Sequence, residues 1–266
     1  MKVSSAIGLV VAIAGLFIGA TMEGSNPMAI LSPSAMSIVL GGTLGATIAG
    51  TSFASVTNIP KLYMKAFNAA APDLNAKVAE LVGYAESARR DGLLALDEVT
   101  ATIEDPFTKK GLQLVVDGTD PDLVADILES ENDAMRKRHS AATQPFEKAG
   151  GYAPTMGIIG TVFGLIHVLA NLDKPSTLGP SISAAFVATL IGVASANVIY
   201  LPIAARLKQL SQDELHARAL VVEGILAIQA GDNPRVVQEK LVTFVPPALR
   251  LDADGNGSAS AQKAAA

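Results

Sequence analysis

Residues 154–172 read PTMGIIGTVFGLIHVLANL. No Asp, Glu, Lys or Arg interrupts them, and a bilayer is crossed by about 20 mostly apolar residues. The stretch also spends positions on Gly157, Gly160 and Gly164 and on the hydroxyls of Thr155 and Thr161. Gly160 and Gly164 form a small-x-x-x-small pair, which lets two membrane helices approach closely. Two readings stand side by side. The glycines pack and the threonines bond to their own backbone, or the small and hydroxyl residues line a narrow polar path.

Three further charge-free stretches accompany this one. They are residues 3–22, 24–60 and 175–205, in a chain of 266 residues that is 50% hydrophobic with a mean hydropathy of +0.38. Each holds one span, so the sequence predicts four, at about 3–22, 33–53, 153–172 and 180–202. Lys2, an apolar run and Gly19-Ala20 loosely resemble a signal peptide. The second apolar stretch follows almost at once, and the first is read as a retained span.

The charges gather in two blocks, 61–148 and 206–266. With four spans, both lie on one side of the membrane. Lys2, Lys61, Lys65, Lys148, Arg206 and Lys208 flank the spans on that side, and positive flanks favour the cytoplasm. The predicted class is an all-α membrane protein with both termini cytoplasmic. Its parts are a first hairpin (1–60), a cytoplasmic helical domain (61–148), a second hairpin (149–205), a helical tail (206–250) and a low-complexity, disordered end (251–266).

The first cytoplasmic block reads as helical. Leu74, Val78, Leu81, Val82 and Ala85 recur at helical spacing, and Gly92 ends that run. Asp120-Pro121 and Asn233-Pro234 pair a capping residue with proline at the first helical position. Leu123, Ile127 and Leu128 are expected to form the apolar face that follows Pro121.

Catalytic signatures are missing. There is no His-Glu-x-x-His, no phosphate loop and no Gly-x-Ser-x-Gly. Cysteine is absent, and the three histidines, His139, His167 and His216, lie far apart in sequence. No basic patch carries interleaved aromatics, so nucleic acid is not an expected partner. The chain reads as no enzyme and as needing no cofactor. His167 is either a proton relay or a neutral group in the bundle.

A path for H⁺ or Na⁺ usually needs an ionisable group within the membrane. None of the four spans has a carboxylate. If ions pass, another chain supplies it, while hydroxyls replace part of the hydration shell. The fourth span offers Ser183, Thr189, Ser195 and Asn197. In the cytoplasmic block, ARRDGLLALDE (88–98) sets Arg89, Arg90 and Asp91 on one side of Leu93–Leu96 and Asp97 and Glu98 on the other. It is a solvated surface with weak ion pairs, or a charged docking surface.

Four segments carry a resemblance to a known family: YAPTMGIIGTVFGLIHVL (152–169), SAAFVATLIGVASANVIYLPIA (183–204), ARRDGLLALDE (88–98) and EGILAIQAGDNPRVVQEKL (223–241). Together they resemble MotA/PomA, the A subunit of the bacterial flagellar stator, within the wider MotA/TolQ/ExbB proton-channel group. TolQ and ExbB resemble the chain only in the last two spans. The resemblance implies a homopentamer in the bacterial inner membrane, around a dimer of a peptidoglycan-anchored MotB/PomB-like B subunit. That subunit supplies the essential Asp, and ion flow turns the ring against the rotor switch protein FliG.

By the same resemblance, Pro154 and Pro202 are the coupling prolines. Thr161 and Thr189 are the pore-facing hydroxyls, with Thr155 counted in the ion pathway. Arg89, Arg90, Asp97 and Glu98 are the rotor-contacting charges. Asp97 stands where relatives often have Glu, and each charge is doubled. Thr161 stands where sodium-type relatives and some proton-type ones have a threonine, whereas GLIHVL with His167 is closer to proton-type members; the transported ion is read as H⁺ or Na⁺, leaning to H⁺. The alternative expectation is a TolQ/ExbB-like envelope energiser.

Overall fold

A computed structural model describes residues 2–22, 24, 32–173 and 175–250. The low-complexity end expected after residue 250 lies outside the described residues, as does most of the first short connection. Every element among the described residues is helical. The chain divides into two compact units, residues 1–70 with 138–210 and residues 71–137 with 211–266.

The first unit contains the apolar helices. Helix α1 is Lys2–Met22. Next comes a composite helix: α2 (Pro33–Met36), a π-turn at Ser37–Gly41 and α3 (Gly42–Gly50). Short α4 (Phe53–Thr57) follows, with the Ser52 hydroxyl accepting from Ser55 N–H at 3.2 Å. Amphipathic α5 (Ile59–Asn68) buries Ala66 and packs Ile59, Leu62, Tyr63 and Phe67 around Phe146, Ile203, Ala204 and Leu207.

In the second unit, α6 (Leu74–Asp91) starts on an Asp73 cap that accepts from Ala76 N–H at 3.1 Å. It ends at Gly92, whose φ of 85° is open to glycine and strained for other residues. A 3₁₀ turn at Leu93–Ala95 leads into α7 (Leu96–Thr102) and α8 (Pro106–Val116). Helix α8 stops in a Schellman closure. Gly118, at φ 73°, is its left-handed residue, and Thr119 N–H donates to Leu114 O at 3.0 Å.

Helix α9 (Pro121–Leu169) then contributes to both units, its first turn capped by Asp120 accepting from Asp122 N–H at 3.0 Å. Helix α10 (Pro175–Ala194), a π-turn at Ser195–Tyr200 and α11 (Leu201–Gln229) continue the chain. Helix α12 (Pro234–Val242) closes it, its Asn233 cap accepting from Arg235 N–H at 3.1 Å.

Three helices are long and apolar enough to cross a membrane among the described residues: Pro33–Gly50, Pro121–Leu169 and Pro175–Gln229. Ile7–Met22 is a shorter apolar helix by the same measure. The sequence-read boundaries at 148/149 and 205/206 fall inside α9 and α11, which run on past both junctions. The second unit has a conventional core, with Leu81, Leu96, Leu112, Leu128, Leu220, Ile225 and Leu241 all fully buried. One expected face needs correction. Leu123 is 51% exposed, and Val124 takes its place beside Leu128, one turn of α9 further on.

Candidate functional site: a hydroxyl pair at a glycine crossing

The quoted stretch forms the last turns of α9, and its glycines face α10. A Cβ on Gly157 would lie 2.9 Å from Ala188 O and 3.0 Å from Thr189 Cα. One on Gly160 would lie 2.7 Å from Ala188 Cβ, and one on Gly164 2.5 Å from Ala185 Cβ. The crossing is reciprocal, since a Cβ on Gly192 of α10 would meet Ala153 O at 2.5 Å. Small residues thus let the backbones touch. The large apolar side chains point away: Ile158, Phe163, Ile166 and Phe186 are each at least 56% exposed. This inside-out arrangement suits a helix pair that meets lipid or other chains on its outer faces.

Close approach brings two hydroxyls together. Thr161 and Thr189 hydrogen-bond to each other across the crossing. Thr161 Oγ1 also lies 3.1 Å from Gly157 O and 3.0 Å from Ala185 O, and Thr189 Oγ1 lies 3.3 Å from Gly157 O. Each hydroxyl has one proton to donate and two lone pairs. In the mutual bond one threonine donates to the other, which is left to donate to a carbonyl, Thr189 to Gly157 O or Thr161 to Ala185 O, and lone pairs on the two oxygens remain free to accept. The threonines bond backbone carbonyls, and they form a half-buried polar cluster. Thr155 is not in it. That side chain is exposed and donates to Tyr152 O at 2.8 Å in its own turn.

The two prolines lie where helix geometry is perturbed or stressed. Pro154 sits inside α9, as does Pro145, which the sequence reading passed over. A proline lacks the N–H that would bond the carbonyl four residues back, so Gly150 O and Ala141 O lose that partner. Pro202 stands in the first turn of α11, directly after the π-turn at Ser195–Tyr200. Leu201 N–H bonds Ala196 O, five residues back, and Pro202 has no N–H to continue the series. Ser195 is buried and donates to Gly192 O at 3.1 Å, whereas Asn197 is exposed and donates to Val193 O at 2.9 Å. His167 is exposed and lines a cavity of about 370 Å³ with Ser34, Ser181 and Phe163.

A threonine stripe escaped sequence reasoning. Thr43 and Thr47 on α3 are 1% and 2% exposed. Thr47 donates to Thr43 O at 2.7 Å, and Thr51 donates to Thr47 O at the same distance. The four-residue spacing places Thr43 and Thr47 on one helix face with Thr51 at the C-cap, and that was the available signal.

In the second unit, the charged stretch surrounds the elbow at Gly92. Arg89 and Arg90 occupy the last turn of α6, and Asp97 and Glu98 the first turn of α7. Both placements suit the helix dipoles. All four side chains are exposed, with Leu94 between them 77% exposed. Arg90 is engaged, its guanidinium 2.8 Å from the Asp91 carboxylate. The hydrogen bond from Arg90 holds the Asp91 carboxyl below its ordinary range. Among the described residues, Arg89, Asp97 and Glu98 form no ion pair.

Comparison with known proteins decides the family. Residues 99–219 match the MotA/TolQ/ExbB proton channel family, and residues 6–87 match the Motility protein A N-terminal family. Motility protein A of Bacillus subtilis (strain 168) is 35% identical over 263 residues, covering 97% of this chain and 96% of that one. The chain belongs to the MotA/TolQ/ExbB proton channel family. Two solved structures share its fold. The structure of C. jejuni MotAB superposes with a TM-score of 0.87 at 31% identity, over 92% of this chain and 96% of its own. The flagellar MotAB stator complex from Bacillus subtilis gives 0.85 at 34% identity, over 91% and 95%. Within the family, the N-terminal match places the chain with the motility proteins.

Proposed function

We propose that this chain is the ion-conducting A subunit of a bacterial flagellar stator, with four spans, both charged blocks cytoplasmic, and the inner membrane as its site. The observation that carries the mechanism is the Thr161–Thr189 pair, set by a glycine crossing into two apolar stretches, 149–172 and 175–205, that contain no carboxylate. Full-length similarity to Motility protein A, N-terminal region included, favours this over an envelope energiser of the TolQ/ExbB kind.

In this reading a pentamer of the chain surrounds a B-subunit dimer, whose membrane Asp holds the ion. The two threonine oxygens take over part of the ion's hydration without adding a charge that would trap it. Pro154, Pro202 and the π-turn weaken the helices on either side of the pair, so a change of charge at the partner's Asp can be taken up as bending. The charged elbow then engages FliG. Arg89 is the better placed of the two arginines, since Arg90 is held by Asp91.

Swimming speed against Na⁺ concentration, with a protonophore as control, tests both role and ion. The expected result is a speed independent of Na⁺ and abolished by the protonophore. Proportionality to Na⁺ would change the ion assignment. Unaltered motility after deletion of the gene would overturn the stator role.

A further inference from the structure

A cleft of about 220 Å³ lies in the first unit, between Gly8, Leu9 and Ala12 of α1, Phe67 of α5, and Asn197 and Arg206 at the α10–α11 junction. Its walls are mostly apolar, and one cation stands in its lining. Arg206 is half-buried. Its Nη2 makes a 3.4 Å bond to Ala69 O, and its Nε is buried with no partner. No carboxylate pairs with it among the described residues. A half-buried guanidinium with an unsatisfied Nε is stabilised by an anionic partner that accepts from it. Beside the cleft, α5 turns Lys61, Met64 and Lys65 outward while its opposite face packs on Phe146 and Leu207. That is the pattern of a helix lying in a membrane interface.

We infer that this cleft binds an anionic phospholipid, its phosphate on the Arg206 guanidinium and part of one acyl chain between α1 and the π-turn at Ser195–Tyr200. The proposal rests on the membrane reading above. The volume is below the roughly 300–1,000 Å³ of pockets that enclose a whole small molecule, so the rest of the lipid lies along the outer face of α5. Arginine forms paired bonds to phosphate, and no acidic side chain lines the cleft to oppose it. Lys61 and Lys65 attract anionic headgroups towards the mouth. Because Pro202 also lines the cleft, an occupant there touches the turn at which the helix is weakest.

The test uses the complete complex of this chain with its B subunit, held in nanodiscs of equal phosphatidylglycerol and phosphatidylcholine. Native mass spectrometry reads the lipids retained on release. The wild type is expected to keep phosphatidylglycerol about fivefold over phosphatidylcholine. Arg206→Gln should bring that ratio close to one. Gly8→Phe should reduce retention of both lipids. No atom lies within 4 Å of a Cβ at Gly8, so the ring has room to enter the cleft without disturbing the fold. Thermal unfolding of both variants checks that the complex is intact. An absence of preference in the wild type overturns the proposal. So does a wild-type ratio in Arg206→Gln, or selectivity lost only in the double variant Lys61→Gln/Lys65→Gln. Ion flux is recorded on the same wild-type complex reconstituted into vesicles of the same lipid composition; its absence alongside intact lipid selectivity counts against the stator reading and leaves the cleft standing.

Discussion

Gly157 O lies within hydrogen-bond reach of two threonines on different helices: Thr161 Oγ1 at 3.1 Å from within α9, and Thr189 Oγ1 at 3.3 Å from α10. This is possible only because the backbones meet where neither helix carries a bulky side chain. A methyl group on Gly157 faces Ala188 O and Thr189 Cα, and one on Gly192 faces Ala153 O. These are backbone atoms and cannot swing aside. Gly157→Ala and Gly192→Ala should each separate the helices and cost about 1–3 kcal/mol of overpacking. Lower thermal stability and reduced insertion into working motors would be measured. Full stability and torque in both variants would contradict the crossing.

Thr189→Ala removes one oxygen from the cluster and leaves Thr161 with its backbone partner. Torque at saturating driving force should fall roughly fivefold, the effect of losing one modest hydrogen-bond contribution. Thr189→Ser keeps the oxygen and should recover most of it. Tethered-cell rotation, with membrane levels checked in parallel, reads the difference. Equal torque in the Ala and Ser variants would remove the hydroxyl from the path.

The two arginines at the elbow should not be equivalent. Arg90 is paired with Asp91 whereas Arg89 is unpaired among the described residues. Arg89→Glu should therefore slow motility more than Arg90→Glu. A compensating charge reversal on the rotor should rescue Arg89→Glu selectively. A stronger defect in Arg90→Glu would show that the Asp91 pair opens on engagement.

A pH dependence follows from Asp105, the cap of α8. Burial opposes its charge, but the Thr108 hydroxyl at 2.7 Å, the Lys77 ammonium at 3.3 Å and the Phe107 amide together hold its carboxyl below the ordinary value. A depressed carboxylate stabilises the fold above its unfolded value, about pH 3.9. The stabilisation is lost as pH falls through the folded value. Asp105→Asn retains a good cap and removes the charge. It should lower stability by about 1 kcal/mol at neutral pH, discounted for partial exposure. The gap to wild type should narrow below about pH 4. Urea titrations of the complex at several pH values check this; a pH-independent gap would contradict it.

Much of this is legible in the sequence. The charge-free stretches, the Asp120-Pro121 and Asn233-Pro234 starts and the stop at Gly92 all rest on local chemistry. What escaped depends on distant partners. Nothing near Thr161 in sequence announces that Ala185 O and Thr189 will meet it, because that follows from how α9 and α10 cross. Leu123 and Val124 are both apolar neighbours, and the packing around Leu128 decides which one is buried. The π-turn before Pro202 and the unpaired Arg206 were equally hidden, since each is set by the residues around it.

On the stator reading, this chain provides uncharged walls and its partner the ion-binding carboxylate. Ion flux into vesicles tests it most directly, comparing this chain alone, the chain with its B subunit, and the complex whose B-subunit membrane Asp is replaced by Asn. Flux is expected only in the second preparation, reduced by Thr189→Ala. Equal flux from this chain alone, or from the complex lacking the Asp, would contradict the account.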